Sequence, residues 1–199
     1  MNPLPWSGSW YAWRLDRELY KDTWDSGIGA HKLGGRWNAP GRNVVYASAD
    51  PSTAILEVAV HVGFDALDTV AHVLTCFEVL DQSLIKVVQP EDVPNPIWLT
   101  SASASPNQQK FADALLAEHP FVLIPSAVTR HSWNLLVSRE LAEGRLDHML
   151  QEKYRRPIAP APEPESPAPA EAEAAGDAPA ELEGWSRTLE SGRNVMRSA

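Results

Sequence analysis

An abrupt change in composition after residue 156 constrains the fold of this chain more than any other feature. Of the 27 residues from 157 to 183, 23 are Pro, Ala, Glu or Asp. Such a segment carries too few apolar side chains to build a core, and its like charges keep it extended. We therefore predict a single folded domain over residues 1–156, a Pro/Ala/Glu-rich linker over 157–184, and a short segment over 185–199 that is disordered or docks on a partner.

The charge balance disfavours several classes of partner. The chain has 17 Lys and Arg against 26 Asp and Glu, a net charge of -9, which opposes binding to a phosphate backbone. We expect no direct contact with nucleic acid. Neither a signal peptide nor an apolar run of about 18 residues is present, so we expect no membrane association. The single cysteine, Cys76, cannot form an internal disulfide, which fits the cytoplasm.

The spacing of apolar residues predicts strands and helices in the folded part. A helix is expected to begin at Pro51, with Ser48 or Asp50 as its cap. Apolar residues recur at helical spacing from there until Gly63, which ends the helix. Several predicted strands follow one another without a helix between them, which favours an α+β (mixed α/β) fold. The predicted strands are 43–47, 70–79, 84–88 and 121–124, and a second helix is predicted over 107–119.

A glycine-rich segment from Gly27 to Asn38 is the first candidate for chemistry. Its four glycines would let backbone N–H groups approach a phosphate closely, and Arg36 could hold that phosphate with two hydrogen bonds. The segment matches neither the P-loop nor the dinucleotide-binding glycine pattern. On spacing alone, a glycine-rich surface turn with a solvated arginine is the favoured explanation of the same residues.

Four further residues have ordinary structural explanations when each is taken alone. Glu57 lies on the flank of the predicted helix, where a glutamate is usually solvated, and Tyr46 would be a core or edge aromatic of its strand. Ser126 after a strand and Asn134 on a predicted helix would be caps or turn formers. The six histidines show no paired ligand spacing, so we expect no metal site.

Four short segments taken together are more specific than any one of these residues. They are Gly35-Arg36-Trp37-Asn38, Val45-Tyr46-Ala47-Ser48, Ala54-Ile55-Leu56-Glu57 and Ile124-Pro125-Ser126-Ala127-Val128. The combination resembles the RES domain family, which is named for an Arg, a Glu and a Ser that here match Arg36, Glu57 and Ser126. The resemblance extends from about Trp13 to about Leu146.

This resemblance implies a toxin of a bacterial toxin–antitoxin pair, with NAD as its substrate and without a metal. It implies a fold similar to that of ADP-ribosyltransferase toxins, a core of small β-sheets flanked by helices. Members of the family cleave NAD between nicotinamide and ribose, by hydrolysis or phosphorolysis, or transfer its ADP-ribose to a protein. A catalytically silent module that binds a nucleotide or a partner in the same groove is a third interpretation.

The resemblance also assigns roles to individual residues. Cleavage of the N-glycosidic bond passes through an oxocarbenium-like ribose, which a carboxylate can stabilise. We therefore expect Glu57 at the ribose and Arg36 at the pyrophosphate, with Tyr46 stacked on or hydrogen-bonded to the nicotinamide ribose. Ser126 and Asn134 would orient the cofactor or a loop. The expected catalytic residues are Arg36, Tyr46, Glu57 and Ser126, and the expected NAD-binding residues are Gly35, Arg36, Trp37, Asn38, Tyr46, Ser48 and Asn134.

The partner implied by the resemblance is an Xre-like helix-turn-helix antitoxin that covers the active site. Binding to DNA would then belong to that partner, which agrees with the acidic balance of this chain. A homodimer within the toxin–antitoxin complex is also expected from the family.

Overall fold

The computed structural model describes residues 8–95, 97–99 and 104–155. The predicted linker and C-terminal segment lie outside these residues. Within the described ranges, no helix combines the length and the apolar character needed to cross a membrane.

In the described residues, seven strands form one mixed sheet. They are β1 (Trp10–Arg17), β2 (Val44–Ser48), β3 (His72–Val79), β4 (Ile85–Val87), β5 (Phe121–Pro125), β6 (Trp133–Ser138) and β7 (Leu146–Tyr154). Their order across the sheet is β4-β5-β6-β2-β1-β3-β7. Only β4 and β5 run parallel, and every other neighbouring pair is antiparallel. Antiparallel pairing of this kind is typical of an α+β fold, which confirms the predicted class.

Four helices accompany the sheet in the part of the chain that the structure describes. They are α1 (Ile28–Leu33), α2 (Pro51–Val62), α3 (Phe64–Thr69) and α4 (Pro106–Glu118), with short 3-10 turns at Glu18–Thr23, Gln82–Leu84 and Pro90–Asp92. The α2 helix has the predicted ends, because Asp50 caps it through the Thr53 N–H and Pro51 begins it. Gly63, with φ +85°, takes a backbone conformation that other residues rarely adopt and ends the helix.

The sheet divides into two halves at one weak junction. Strands β1 and β2 share a single registered pair, Trp13 with Ser48. Strand β1 instead pairs with β3 along its whole length, from Trp10 opposite Val79 onwards. The halves β4-β5-β6-β2 and β1-β3-β7 therefore meet at this pair, which we call the seam.

The two faces of the sheet are covered differently. One face forms an interior built from strands and loops, in which Ala12, Val45, Phe77 and Leu135 of both halves belong to one buried cluster. On the opposite face α4 packs over β5, β6 and β2, whereas α2 and α3 pack over β1 and β3. The helices thus stand on either side of the seam.

Two local expectations are corrected by the structure. Asn134, expected on a helix, lies in strand β6 opposite Ser48 of β2 and Ile124 of β5. The segment from Gly27 to Asn38, expected as a loop, contains the short helix α1. The predicted strands 43–47, 70–79, 84–88 and 121–124 correspond to β2, β3, β4 and β5, and the predicted helices correspond to α2 and α4.

Candidate active site

A cavity of about 390 Å³ lies over the seam, between α2 and the glycine-rich segment. Its lining brings together most of the candidate residues from four separate stretches of the chain. These are Gly35, Arg36, Trp37, Tyr46, Ser48, Glu57 and Asn134. Its size is typical of sites that bind small molecules.

Glu57 is held on the floor of this cavity by two donors. Its Oε1 accepts a hydrogen bond from the Ser126 hydroxyl at 2.9 Å and another from the Asn134 amide. Both donors come from the β5–β6 region, about seventy residues further along the chain. The carboxylate is therefore half-buried and fixed by long-range contacts, not solvated on a helix flank.

The Ser126 hydroxyl is fully engaged in holding this carboxylate. Besides donating to Glu57, its Oγ accepts from the backbone N–H groups of Val128 and Thr129, both at 3.2 Å. A serine hydroxyl has one proton, and here the two N–H donors occupy its oxygen while the proton faces Glu57. Ser126 is thus placed to orient the carboxylate.

Asn134 is linked to a second serine behind it. The Ser48 hydroxyl donates to Asn134 Oδ1 at 2.8 Å, while Asn134 Nδ2 donates to Glu57. Both side chains are buried, Ser48 with 2% and Asn134 with 8% of its surface exposed. The hydrogen-bond chain Ser48–Asn134–Glu57 runs across β2, β6 and α2.

Tyr46 locks the glycine-rich segment against β2. Its hydroxyl accepts from the Trp37 N–H at 3.1 Å and donates to Asn38 Oδ1 at 2.7 Å. Burial raises the pKa of Tyr46, and the nearby Asp113 carboxylate raises it further, so the phenol stays neutral. The Tyr46 side chain therefore joins the segment to β2 and also lines the cavity.

Two neighbours of Arg36 support the segment more than they line the cavity. The Trp37 indole is 2% exposed and packs on Trp98 with ring centroids 5.8 Å apart. Asn38 is buried, donates to the carbonyls of Ala30 and Ala39, and lies outside the cavity lining. These bonds hold the segment together, and the expected contact of Asn38 with NAD stays a prediction.

Arg36 lines the same cavity as Glu57. Its Nη1 donates to the Trp98 carbonyl at 3.1 Å, which fixes the direction of the guanidinium. A guanidinium and a carboxylate in one small cavity suit a ligand that carries both an anionic group and a developing positive charge.

Two charged or titratable residues that line this cavity, Arg14 and His61, were not among the expected site residues. Arg14 of β1 lies at its edge, where it forms a bidentate ion pair with Asp16 at 2.5 and 2.6 Å and donates to the Tyr46 carbonyl at 2.7 Å. His61 lines the cavity one helical turn after Glu57. The spacing of four residues on α2 was the signal that could have identified His61.

A second cavity of about 570 Å³ adjoins the first. The two share Arg14, Leu15, Ala30, Tyr46 and Val58 in their linings. Together they form a continuous groove along the α1 side of the seam. Among the described residues, no group of three His, Cys, Asp or Glu side chains is arranged to hold a metal ion.

The chain is similar in sequence to known toxins. The chain is 30% identical over 131 residues to "Toxin Res" of Photorhabdus laumondii, which covers 63% of this chain and 80% of that protein. It is 32% identical over 136 residues to the "Prs ADP-ribosylating toxin" of a Sphingobium species, with 63% and 80% covered.

A solved structure shares the fold. A chain of the M. tuberculosis MbcT–MbcA toxin–antitoxin complex superimposes with a TM-score of 0.61 at 21% identity, over 74% of this chain and 85% of that one. The family model of the RES domain matches residues 11–157. The chain therefore belongs to the RES domain family.

Proposed function

We propose that this protein is the toxin of a bacterial toxin–antitoxin pair, and that it cleaves NAD at the bond between nicotinamide and ribose. The products would be nicotinamide and ADP-ribose when water attacks, or nicotinamide and phosphorylated ADP-ribose when phosphate attacks. Loss of cellular NAD would account for toxicity, and the cytoplasm is the expected place of action.

The observation that carries this proposal is that Arg36 and Glu57, whose carboxylate is held by two hydrogen bonds, line the same cavity. When the glycosidic bond breaks, nicotinamide leaves as a neutral molecule and the ribose takes on oxocarbenium character. A preoriented carboxylate stabilises that charge without reorganising, and a guanidinium binds the pyrophosphate. Glu57 and Arg36 are the residues we assign to these two tasks.

The test is nicotinamide release from NAD by the purified protein, measured with and without phosphate. We expect release by the wild type, and a loss of roughly 100- to 1,000-fold in Glu57→Gln because the stabilising charge is removed. Arg36→Ala should mainly raise KM. A requirement for phosphate would identify phosphorolysis.

Glu118→Gln serves as the matched control, since Glu118 is an exposed glutamate at the end of α4, outside the cavity lining. It should release nicotinamide at the wild-type rate. Full activity of a folded Glu57→Gln protein would overturn the proposal, as would a wild type that releases no nicotinamide.

Transfer of ADP-ribose to a protein is a second candidate function. It is favoured by the relative from Sphingobium, whose name describes an ADP-ribosylating toxin. NAD labelled in its adenylate half distinguishes the two reactions. Label in free ADP-ribose supports NAD cleavage, whereas label retained on a macromolecule supports transfer.

An antitoxin that covers the cavity is the partner we propose. The support comes from the toxin–antitoxin complex that shares this fold. The helix-turn-helix type of the antitoxin and a homodimer of the toxin remain predictions from the family resemblance. Co-expression with the protein encoded by a neighbouring gene, followed by size determination, tests complex formation and the number of toxin copies, and the sequence of that gene shows whether the partner has a helix-turn-helix.

A further inference from the structure

The carboxylate of Glu57 is bonded asymmetrically. Both of its donors, Ser126 and Asn134, address Oε1. Among residues 8–95, 97–99 and 104–155, none donates a recorded hydrogen bond to Oε2. The network therefore sets the rotation of the carboxylate and leaves one oxygen for a ligand.

The two donors differ in how firmly other groups hold their side chains in place. Ser126 is anchored by the backbone N–H groups of Val128 and Thr129, so its proton has a fixed direction. Asn134 has no such backbone anchor recorded for its side chain. Within the described part of the chain, its amide oxygen accepts from the Ser48 hydroxyl alone, at 2.8 Å.

Ser48 lies beside Asn134 on the neighbouring strand, where its hydroxyl can fix the orientation of the Asn134 amide. It pairs in register with Asn134 on one side and with Trp13 of β1 on the other, at the seam. Its side chain is almost entirely buried, and its one proton is committed to Asn134. The hydroxyl proton of Ser48 is therefore used to orient Asn134 and not to bind a ligand.

We propose that Ser48 is a positioning residue that acts through Asn134 to set the orientation of Glu57. Without the hydroxyl, the buried Asn134 oxygen lacks a partner, and the amide turns to find one. Its NH₂ group then leaves Oε1, and the carboxylate rotates away from the orientation needed at the ribose. This inference rests on the proposed cleavage of NAD.

The first experiment separates kcat from KM for nicotinamide release. Ser48→Ala should lower kcat by roughly 10- to 100-fold, because misplacement of a catalytic group by about 1 Å has effects of that order. KM should stay within about twofold, since no contact with the substrate is removed. Ser48→Thr keeps the hydroxyl and should rescue kcat.

Ser138→Ala is the matched control. Ser138 is also a buried strand serine, 1% exposed, but it lies at the far end of β6 opposite Val44. It should leave kcat unchanged. An equal fall in kcat in both alanine variants would mean that only general stability matters, and it would overturn the proposal.

A double-mutant cycle tests the route of the effect. In an Asn134→Leu background, Ser48→Ala should change kcat no further, since the residue through which it acts is gone. Independent, additive effects would overturn the proposal. A rise in KM alone in Ser48→Ala would also overturn it, because Ser48 would then bind the substrate.

A measurement without substrate keeps this inference separate from the proposed function. The side-chain amide protons of Asn134 are observed by NMR in the wild type and in both serine variants. Ser48→Ala should shift them and speed their exchange, and Ser138→Ala should not. Unchanged signals in Ser48→Ala would refute the relay even if NAD is cleaved, whereas a wild type without NAD cleavage would refute the function.

Discussion

The residues around Glu57 and those around Arg36 are held in place in different ways. On the Glu57 side, one carboxylate is held by two side chains from distant segments, Ser126 and Asn134. On the Arg36 side, a whole stretch of backbone is held in place. Gln109 of α4 donates to the carbonyls of Gly35 and Asn38 at 2.7 and 3.2 Å.

This difference indicates where each of the two sets of residues is vulnerable. Removing a donor to Glu57 changes the direction of one side chain, so the effect falls mainly on catalysis. The glycine-rich segment is closed by backbone contacts, and Asp113 of α4 adds another by accepting from the Ala39 N–H at 3.0 Å. A disturbance there displaces Arg36 and the core residue Trp37 together, so the effect falls on stability as well.

The largest effect on stability is expected from Gly35→Ala. A Cβ at this position would lie 2.5 Å from the Tyr46 hydroxyl oxygen and 2.9 Å from Tyr46 Cζ, which forces the ring or the segment to move. We expect a loss of about 2–3 kcal/mol in the free energy of unfolding, measured by urea denaturation, as for other overpacked sites.

Gly29→Ala provides the contrast within the same segment. A Cβ there meets nothing within 4 Å, and the residue is in helix α1. Stability should stay unchanged or rise by up to about 1 kcal/mol. Equal stability losses at Gly29 and Gly35 would contradict the close packing of Tyr46 against the segment.

Tyr46→Phe should have the next largest effect. The change removes the acceptor of the Trp37 N–H and the donor to Asn38, and it leaves both groups buried without that partner. We expect a loss of about 1–2 kcal/mol in the free energy of unfolding. Tyr11→Phe is the control, since Tyr11 is 39% exposed on β1 and should lose almost nothing. Similar losses of unfolding free energy in both variants would contradict the stabilising role of the Tyr46 hydroxyl.

Local signals in the sequence predicted part of this architecture well. Helix α2 was predicted with its cap and its end because the signals for both are local. Asp50, Pro51 and Gly63 each affect the backbone only within a few residues of their own positions. Four of the seven strands were predicted from runs of apolar residues. Strand β6 was missed because its residues are buried on both faces, and such a run has no alternation that separates strand from helix.

The interior of the site could be predicted only by resemblance. The position of Glu57 on α2 indicates a solvated side chain, and its partners lie 69 and 77 residues away in the sequence. No periodicity or local spacing encodes such contacts. Arg14 was missed for a similar reason, since its place at the cavity depends on the single pair that joins β1 to β2.

The smallest effect is expected at the start of α2, on the Glu57 side. Asp50 accepts hydrogen bonds from the Thr53 N–H, the Thr53 hydroxyl and the Ser132 hydroxyl, at 2.8, 2.7 and 2.5 Å. It thereby caps the helix that carries Glu57 and ties it to the chain just before β6. Asp50→Ala should lower the free energy of unfolding by about 1 kcal/mol, and Asp50→Asn, which can still cap, by less.

The pH dependence of this cap follows from its hydrogen bonds. Burial works to raise the pKa of Asp50, but the bonds from Ser132 and Thr53 outweigh it and hold the pKa below its ordinary value. A lowered folded-state pKa contributes stability that is fully present above the unfolded-state pKa, about 3.9, and is lost as pH falls through the folded value. The stability advantage of wild type over Asp50→Asn should therefore shrink below about pH 4. Urea denaturation of both proteins between about pH 7 and pH 3 measures it, and an advantage that grows towards low pH would contradict the assigned bonds.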